Sequence, residues 1–202
     1  MTPADAAVSC LALDVGASKV ALAVVDADGS LRAERRVEVD PGRDLLGDVL
    51  AAARAIEAEE DFAVVGVACA GPMRDGGALV SPLNIPQWRD VPLRDELARA
   101  LGRPVVVEGD ARALALAEGR FGAARGLRDY LSMVVSTGIG GGLVLGGSLV
   151  DGATGNAGHV GHLTVVADGA PCACGGRGCL EAEASGRAIA LATGADPADA
   201  PA

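Results

Sequence analysis

Leu11-Ala-Leu-Asp-Val-Gly-Ala-Ser-Lys-Val-Ala-Leu-Ala-Val-Val25 sets the fold class of this chain. Two aliphatic runs, Leu11 to Leu13 and Val20 to Val25, flank the turn Asp14-Val-Gly-Ala-Ser-Lys19. Asp26-Ala-Asp-Gly29 supplies a second turn before Leu31 to Val39, so a three-stranded meander is expected. Downstream, Leu45, Leu46, Val49, Leu50, Ala53 and Ile56 recur at helical spacing behind Pro41 and Asp44, and Phe62 to Ala70 reads as a fully buried strand. Leu93, Leu97 and Leu101 mark a second helix ended by Gly102, Pro104 to Glu108 a strand, and Asp110 to Glu118 a third helix. Tyr130 to Val135 and Leu143 to Leu149 then flank Ser136-Thr-Gly-Ile-Gly-Gly-Gly142, a second glycine-rich hairpin about 120 residues after the first. The pattern is α/β, with two related lobes facing a cleft.

Composition narrows the function. Seventeen Lys and Arg against 27 Asp and Glu leave a net charge of −10, which disfavours nucleic acid and anionic membrane surfaces as partners. Half of the 202 residues are hydrophobic but four are aromatic, so the core is built from Ala, Val and Leu. The mean hydropathy of +0.33 does not signal a membrane protein, because runs such as Val20 to Val25 and Ala63 to Ala70 fall far short of the roughly 18 residues a spanning helix needs. Met1 to Cys10 carries no basic residue and does not read as a signal peptide, so a cytoplasmic location is expected.

Each glycine hairpin offers backbone N–H groups that can approach phosphate oxygens, although any tight turn also needs glycine. Asp14, at the end of the first strand, is placed to orient a Mg²⁺-bound water. Neither hairpin has P-loop spacing, and no GxGxxG opens a helix after the first strand. Asp110, between a buried-looking strand and a helix, reads either as an N-cap or as a general base that takes the proton of a substrate hydroxyl attacking a γ-phosphate. The amide of Asn84 and the indole of Trp88, in a loop between prolines, suit a sugar; a loop Trp can equally cover the edge of the core.

Cys172-Ala-Cys-Gly-Gly-Arg-Gly-Cys179 is the sharpest signal. C-x-C-x4-C puts three thiolates on one glycine-rich turn, and His162 supplies a fourth ligand for a closed, structural Cys₃His zinc site. Spare thiols in a loop are the plainer reading. Glu181 and Glu183 follow directly and, on a turn pinned by Zn²⁺, could be aimed at a substrate hydroxyl.

With these motifs, the chain resembles the ROK family of bacterial sugar kinases and sugar-responsive repressors, above all its glucokinases, from about Leu11 to Ser185. The zinc segment is the most specific element, supported by the Asp14–Lys19 loop, the Asn84–Trp88 loop and the Ser136–Gly142 loop. The resemblance implies an actin-like (ribonuclease H-like), two-lobed sugar kinase fold. Residues 1–109 would form the N-terminal lobe with the first phosphate loop, 110–190 the start of an apparently truncated second lobe, and 191–202 a flexible tail. It implies ATP and Mg²⁺ bound between the lobes, with Asp14, Gly16, Ala17, Ser18, Lys19, Thr137, Gly138 and Gly140 on the phosphates. Asp110 would be the base on a hexose hydroxyl, and Asn84, Asp110, His159, His162 and Glu181 would hold the sugar. A homodimer is a further implication. Two sugar-contacting positions depart from the family pattern: Gly109 stands where Asn is usual and His159 where Glu is usual. The alternative is a non-catalytic, zinc-stabilised sugar-binding or regulatory protein of the same family; no helix-turn-helix precedes Leu11 in the given sequence, so a repressor reading has no DNA reader to rest on.

Overall fold

The computed structural model describes residues 8–153 and 157–195, which divide into two compact units at Asp110/Ala111. The expected boundary lay one residue earlier.

In the first unit the meander forms as expected: β1 (Cys10–Val15), β2 (Lys19–Val25) and β3 (Leu31–Glu38) are antiparallel neighbours. Helix α1 (Leu45–Glu59) follows, with the Asp44 carboxylate accepting the N–H of Gly47 at 3.1 Å, and leads to β4 (Val64–Cys69). A short hairpin, β5 (Met73–Arg74) with β6 (Leu79–Val80), precedes α2 (Leu93–Leu101) and β7 (Val105–Gly109). The five-stranded sheet has the order β3-β2-β1-β4-β7, and β4 runs parallel to both β1 and β7. Alternate residues of β1, β2 and β4 (Leu11, Leu13, Val20, Leu22, Val65, Val67) are buried in one core with Leu45, Val49 and Ile56 of α1 and Leu93 and Leu97 of α2. Each such side chain contributes about 1.5–3 kcal/mol on burial, so the sheet is a firm platform for what stands at its edge.

Parallel pairing aligns the strand ends. Val15 lies opposite Cys69, which lies opposite Gly109, so the C-terminal ends of β1, β4 and β7 end in one row. Asp14 belongs to β1 rather than to the turn, and Asp110 follows β7 directly. Open α/β sheets place their ligands at this end.

The second unit is built on an antiparallel sheet of order β10-β9-β8, from β8 (Tyr130–Val135), β9 (Ile139–Leu145) and β10 (Ser148–Leu149). Helix α3 (Asp110–Arg120) packs on β9, a 3₁₀ turn covers Val160–His162, and α4 (Leu180–Ala184) and α5 (Gly186–Thr193) close the described part. The start of the expected flexible tail is therefore helical: residues 191–193 finish α5, which Gly194 caps with a left-handed φ of 68°. Residues 196–202 of that tail lie outside the described residues. Among the described residues no helix is long and apolar enough to cross a membrane.

Candidate active site and metal centre

The first unit holds a cavity of about 110 Å³ lined by Asp14, Val15, Gly16, Ala17, Ala70, Pro82, Asn84, Ile85 and Asp110. At about 30 Å³ per water, that is room for several waters or the reacting end of a substrate, not a whole nucleotide. The strands bring Asp14 and Asp110 there, and the 82–88 loop brings Asn84. This loop is held by Arg89, whose Nη1 donates to the carbonyls of Pro82 (3.2 Å), Ile85 (3.0 Å) and Trp88 (2.6 Å). Loss of hydration raises the Asp14 carboxyl above its ordinary pKa, the charge of Asp110 adds to this, and Lys19 offsets part of it. Beneath them the Cys69 thiol is pushed up to about 12, mainly by burial and further by the two carboxylates. A carboxyl whose charge is disfavoured in this way favours a cation or a proton beside it.

Of the residues assigned to the first phosphate loop, Asp14, Gly16 and Ala17 line the cavity, whereas Ser18 and Lys19 do not. The Ser18 carbonyl accepts the N–H of Val39, and the Lys19 carbonyl accepts the N–H of Gly16 at 3.0 Å. Trp88 is 3 % exposed and belongs to the core, so it covers the core edge and has no face free for a sugar.

In the second unit the turn Ser136-Thr-Gly138 joins β8 to β9, and glycines 140–142 lie inside β9. Neither Gly16 nor Gly138 adopts a positive φ. The excess of glycine has a packing cause. A Cβ on Gly140 would come within 2.8 Å of the Ala111 Cβ, and one on Gly142 within 2.5 Å of the Ala115 Cβ, so β9 lies against α3 at a distance only glycine allows. The carboxylate of Glu181 accepts the N–H of Ile139 at 2.8 Å, and the carbonyl of Ser136 accepts the N–H of Gly186 at 2.7 Å. Glu183 instead accepts the N–H of Ala170 at 2.7 Å, a bond within its own loop.

His162, Cys172, Cys174 and Cys179 converge, their donor atoms all within 4.8 Å of one another. Cys174 Sγ and Cys179 Sγ are 3.7 Å apart, and Cys172 Sγ is 3.6 Å from His162 Nδ1. A tetrahedral zinc with Zn–S bonds of about 2.3 Å sets its sulfurs about 3.8 Å apart, so the four donors fit such an ion. Gly175, with φ 90°, turns the chain between the first two cysteines and the third, and the N–H of Cys172 donates to the Gly176 carbonyl at 2.9 Å. The N–H of Leu180 donates to the carbonyl of Leu163 at 2.9 Å, tying the loop to the segment that carries His162. Hydrogen bonds, first from the Gly176 N–H and then from the neighbouring cysteines, lower the Cys174 pKa, whereas burial raises that of Cys179. His159 is exposed, its ring 6.4 Å from that of His162.

A model of the ROK family matches residues 10–202. The chain belongs to the ROK family. It is similar to the glucokinase of Streptomyces coelicolor, 35% identical over 181 residues that make up 89% of this chain and 57% of that protein. It is 39% identical over 186 residues to the N-acetylmannosamine kinase of Shigella boydii, covering 90% of this chain and 63% of that one. The crystal structure of a ROK family glucokinase from Streptomyces griseus in complex with glucose and AMPPNP matches with a TM-score of 0.76 at 38% identity, over 92% of this chain and 62% of that one. This ROK chain thus has the actin-like fold, and spans somewhat under two thirds of the length of these relatives.

The buried charge of the second unit that no motif of this ROK chain singled out is Arg112. It is 4 % exposed, and its guanidinium pairs with the Asp151 carboxylate and donates to the carbonyls of Val150 (2.6 Å) and Ala157 (3.3 Å). One sequence signal pointed to it: a lone Arg among the small residues of Asp110-Ala-Arg-Ala-Leu-Ala-Leu-Ala117.

Proposed function

We propose that this ROK chain serves an ATP-dependent hexose kinase that transfers the γ-phosphoryl group in line to a sugar hydroxyl. The observation that carries the reading is the cavity at the ends of β1 and β7, where Asp14, Asp110 and Asn84 converge. Asp110 accepts the proton of the attacking hydroxyl, which makes that oxygen a competent nucleophile as the phosphoryl group departs from ADP. Asn84 orients the sugar from the 82–88 loop. Asp14, whose ionised form is strained by Asp110, is relieved by a cation and is the residue that would hold Mg²⁺ through water; bound there, Mg²⁺ neutralises phosphate charge. On the other unit Thr137, Gly138 and Gly140 are assigned to the nucleotide phosphates, and Glu181, His159 and His162 to the sugar.

His162, Cys172, Cys174 and Cys179 would hold a structural Zn²⁺. All four ligand positions are then filled by protein, so the metal's contribution is to fix the loop and leave none of its positions for substrate.

Glucose and N-acetylmannosamine, named for the relatives, differ around C2, and the positions that depart here, Gly109 and His159, replace sugar-contacting groups of the family pattern. Removing an amide and exchanging a carboxylate for an imidazole takes away hydrogen bonds that typically contribute about 0.5–1.5 kcal/mol each, so glucose is expected to bind more weakly than in an enzyme carrying Asn and Glu. The test is an ATP-coupled assay against glucose, mannose, N-acetylglucosamine and N-acetylmannosamine, with Gly109→Asn/His159→Glu alongside the parent. Turnover of one of these sugars, with a lower glucose KM in the double variant, supports the reading. A folded, metal-loaded protein that phosphorylates none of the four contradicts it.

A further inference from the structure

We propose that Arg112 is a positioning residue for the sugar-binding segment 158–162. The assignment of that segment to the sugar rests on the kinase reading above; the structural part does not. A guanidinium that is only 4 % exposed loses nearly all of its hydration, and such a charge persists in a fold only when fixed partners replace the water. Arg112 has them at both ends of a single loop. Nη1 donates to the carbonyls of Val150, just after β10, and of Ala157, while Nη2 pairs with Asp151. The loop is also closed on itself by the N–H of Ala157 donating to the Asp151 carbonyl at 3.2 Å.

The residue after Ala157 is Gly158, with φ 91°, and a Cβ there would come within 2.8 Å of the Gly141 carbonyl oxygen. The backbone at Gly158 is therefore packed with no slack, and His159 and the Val160–His162 turn follow at once. The anchor that Arg112 provides at Ala157 sets the point from which this segment starts. A planar fork can satisfy two carbonyls and a carboxylate together; an ammonium group at the end of a lysine, a compact point charge on a flexible stem, cannot hold the same three directions. Asp151 has a side chain 74 % exposed, so its carboxylate is the partner that can be altered with least disturbance to the core.

Arg112→Lys tests the idea by two independent readouts. Amide hydrogen exchange over residues 157–162 is expected to quicken at least tenfold, and the KM for the phosphorylated sugar to rise about tenfold while the KM for ATP stays within twofold. Unchanged exchange with unchanged sugar KM overturns the proposal, as does a parallel rise in both KM values, which marks general loosening. If Arg112→Lys does not fold, Asp151→Ala takes its place: faster exchange with a threefold or larger rise in sugar KM, largely restored in Asp151→Asn, supports the proposal, and no change overturns it. Should the parent protein phosphorylate no sugar, the kinase reading fails alone and the exchange measurement still decides the role of Arg112.

Discussion

The Glu181 carboxylate accepts the backbone N–H of Ile139 at 2.8 Å, joining the residue just behind the cysteine cluster to the first residue of β9. A Cβ added to Gly138 would come within 2.5 Å of the same carboxylate. The segment that follows the cysteine cluster and the Ser136–Gly138 turn therefore share one hydrogen bond, and a disturbance at either is felt at the other. A bond of this charge-assisted kind contributes about 1.5–3 kcal/mol. Glu181→Ala is expected to remove exchange protection from the Ile139 amide and lower stability by about that amount, whereas Glu181→Gln keeps an acceptor and most of the protection. Equal protection in both variants would show that the bond does not hold the turn.

Asp110→Asn replaces a carboxylate by a neutral group of nearly the same shape. In the proposed role of general base, Asp110 is expected to contribute about 10²-fold to 10⁴-fold to kcat, with little change in the KM for ATP. Steady-state kinetics check this. A variant within a few-fold of the parent enzyme would reduce Asp110 to a residue that merely starts α3.

Asp14 gives a prediction with a definite sign. Partial loss of hydration, first, and the charge of Asp110 raise its pKa, so the fold disfavours the ionised form although the side chain keeps contact with solvent. Below the ordinary carboxylate pKa of about 3.9, Asp14 is neutral in both folded and unfolded chains and makes no difference. As pH rises through the raised folded value, the unfolded chain ionises more readily and stability is lost. Asp14→Asn is thus expected to raise Tm at pH 7, with the gain fading near pH 3, while phosphorylation falls at least tenfold. Calorimetry at the two pH values measures it; a lower Tm at pH 7 contradicts the assignment of strain to this carboxyl.

The Cys₃His cluster is expected to carry one Zn²⁺ per chain. Because ligation contributes to folding, removal by a strong chelator should lower Tm and speed exchange over residues 163–180, and added Zn²⁺ should reverse both. Cys172→Ser should weaken zinc binding by at least tenfold. Metal analysis that finds no zinc, with three freely titrating thiols at Cys172, Cys174 and Cys179, would falsify the site.

Features set by near neighbours along the chain can be read without the fold. Alternation in Leu11–Val25, helical spacing in Leu45–Ile56 and turn residues such as Asp26-Ala-Asp-Gly29 fix elements through contacts only a few residues apart. The Cys₃His cluster was legible for the same reason: three of its four members lie within eight residues. What depends on the neighbour across a gap is settled on folding. Parallel pairing of β1, β4 and β7 brought Asp14 and Asp110 into one cavity though 96 positions separate them, and it left Ser18 and Lys19 outside. Glycines 140 and 142, inside β9, also form the surface on which α3 rests, because a strand's close approach is set by the opposing Ala111 and Ala115 and not by its own sequence. Trp88 went into the core and Arg112 was buried against a loop about 40 residues away. Burial of a large or charged side chain is settled by partners that arrive only when the chain has folded, and no local pattern encodes them.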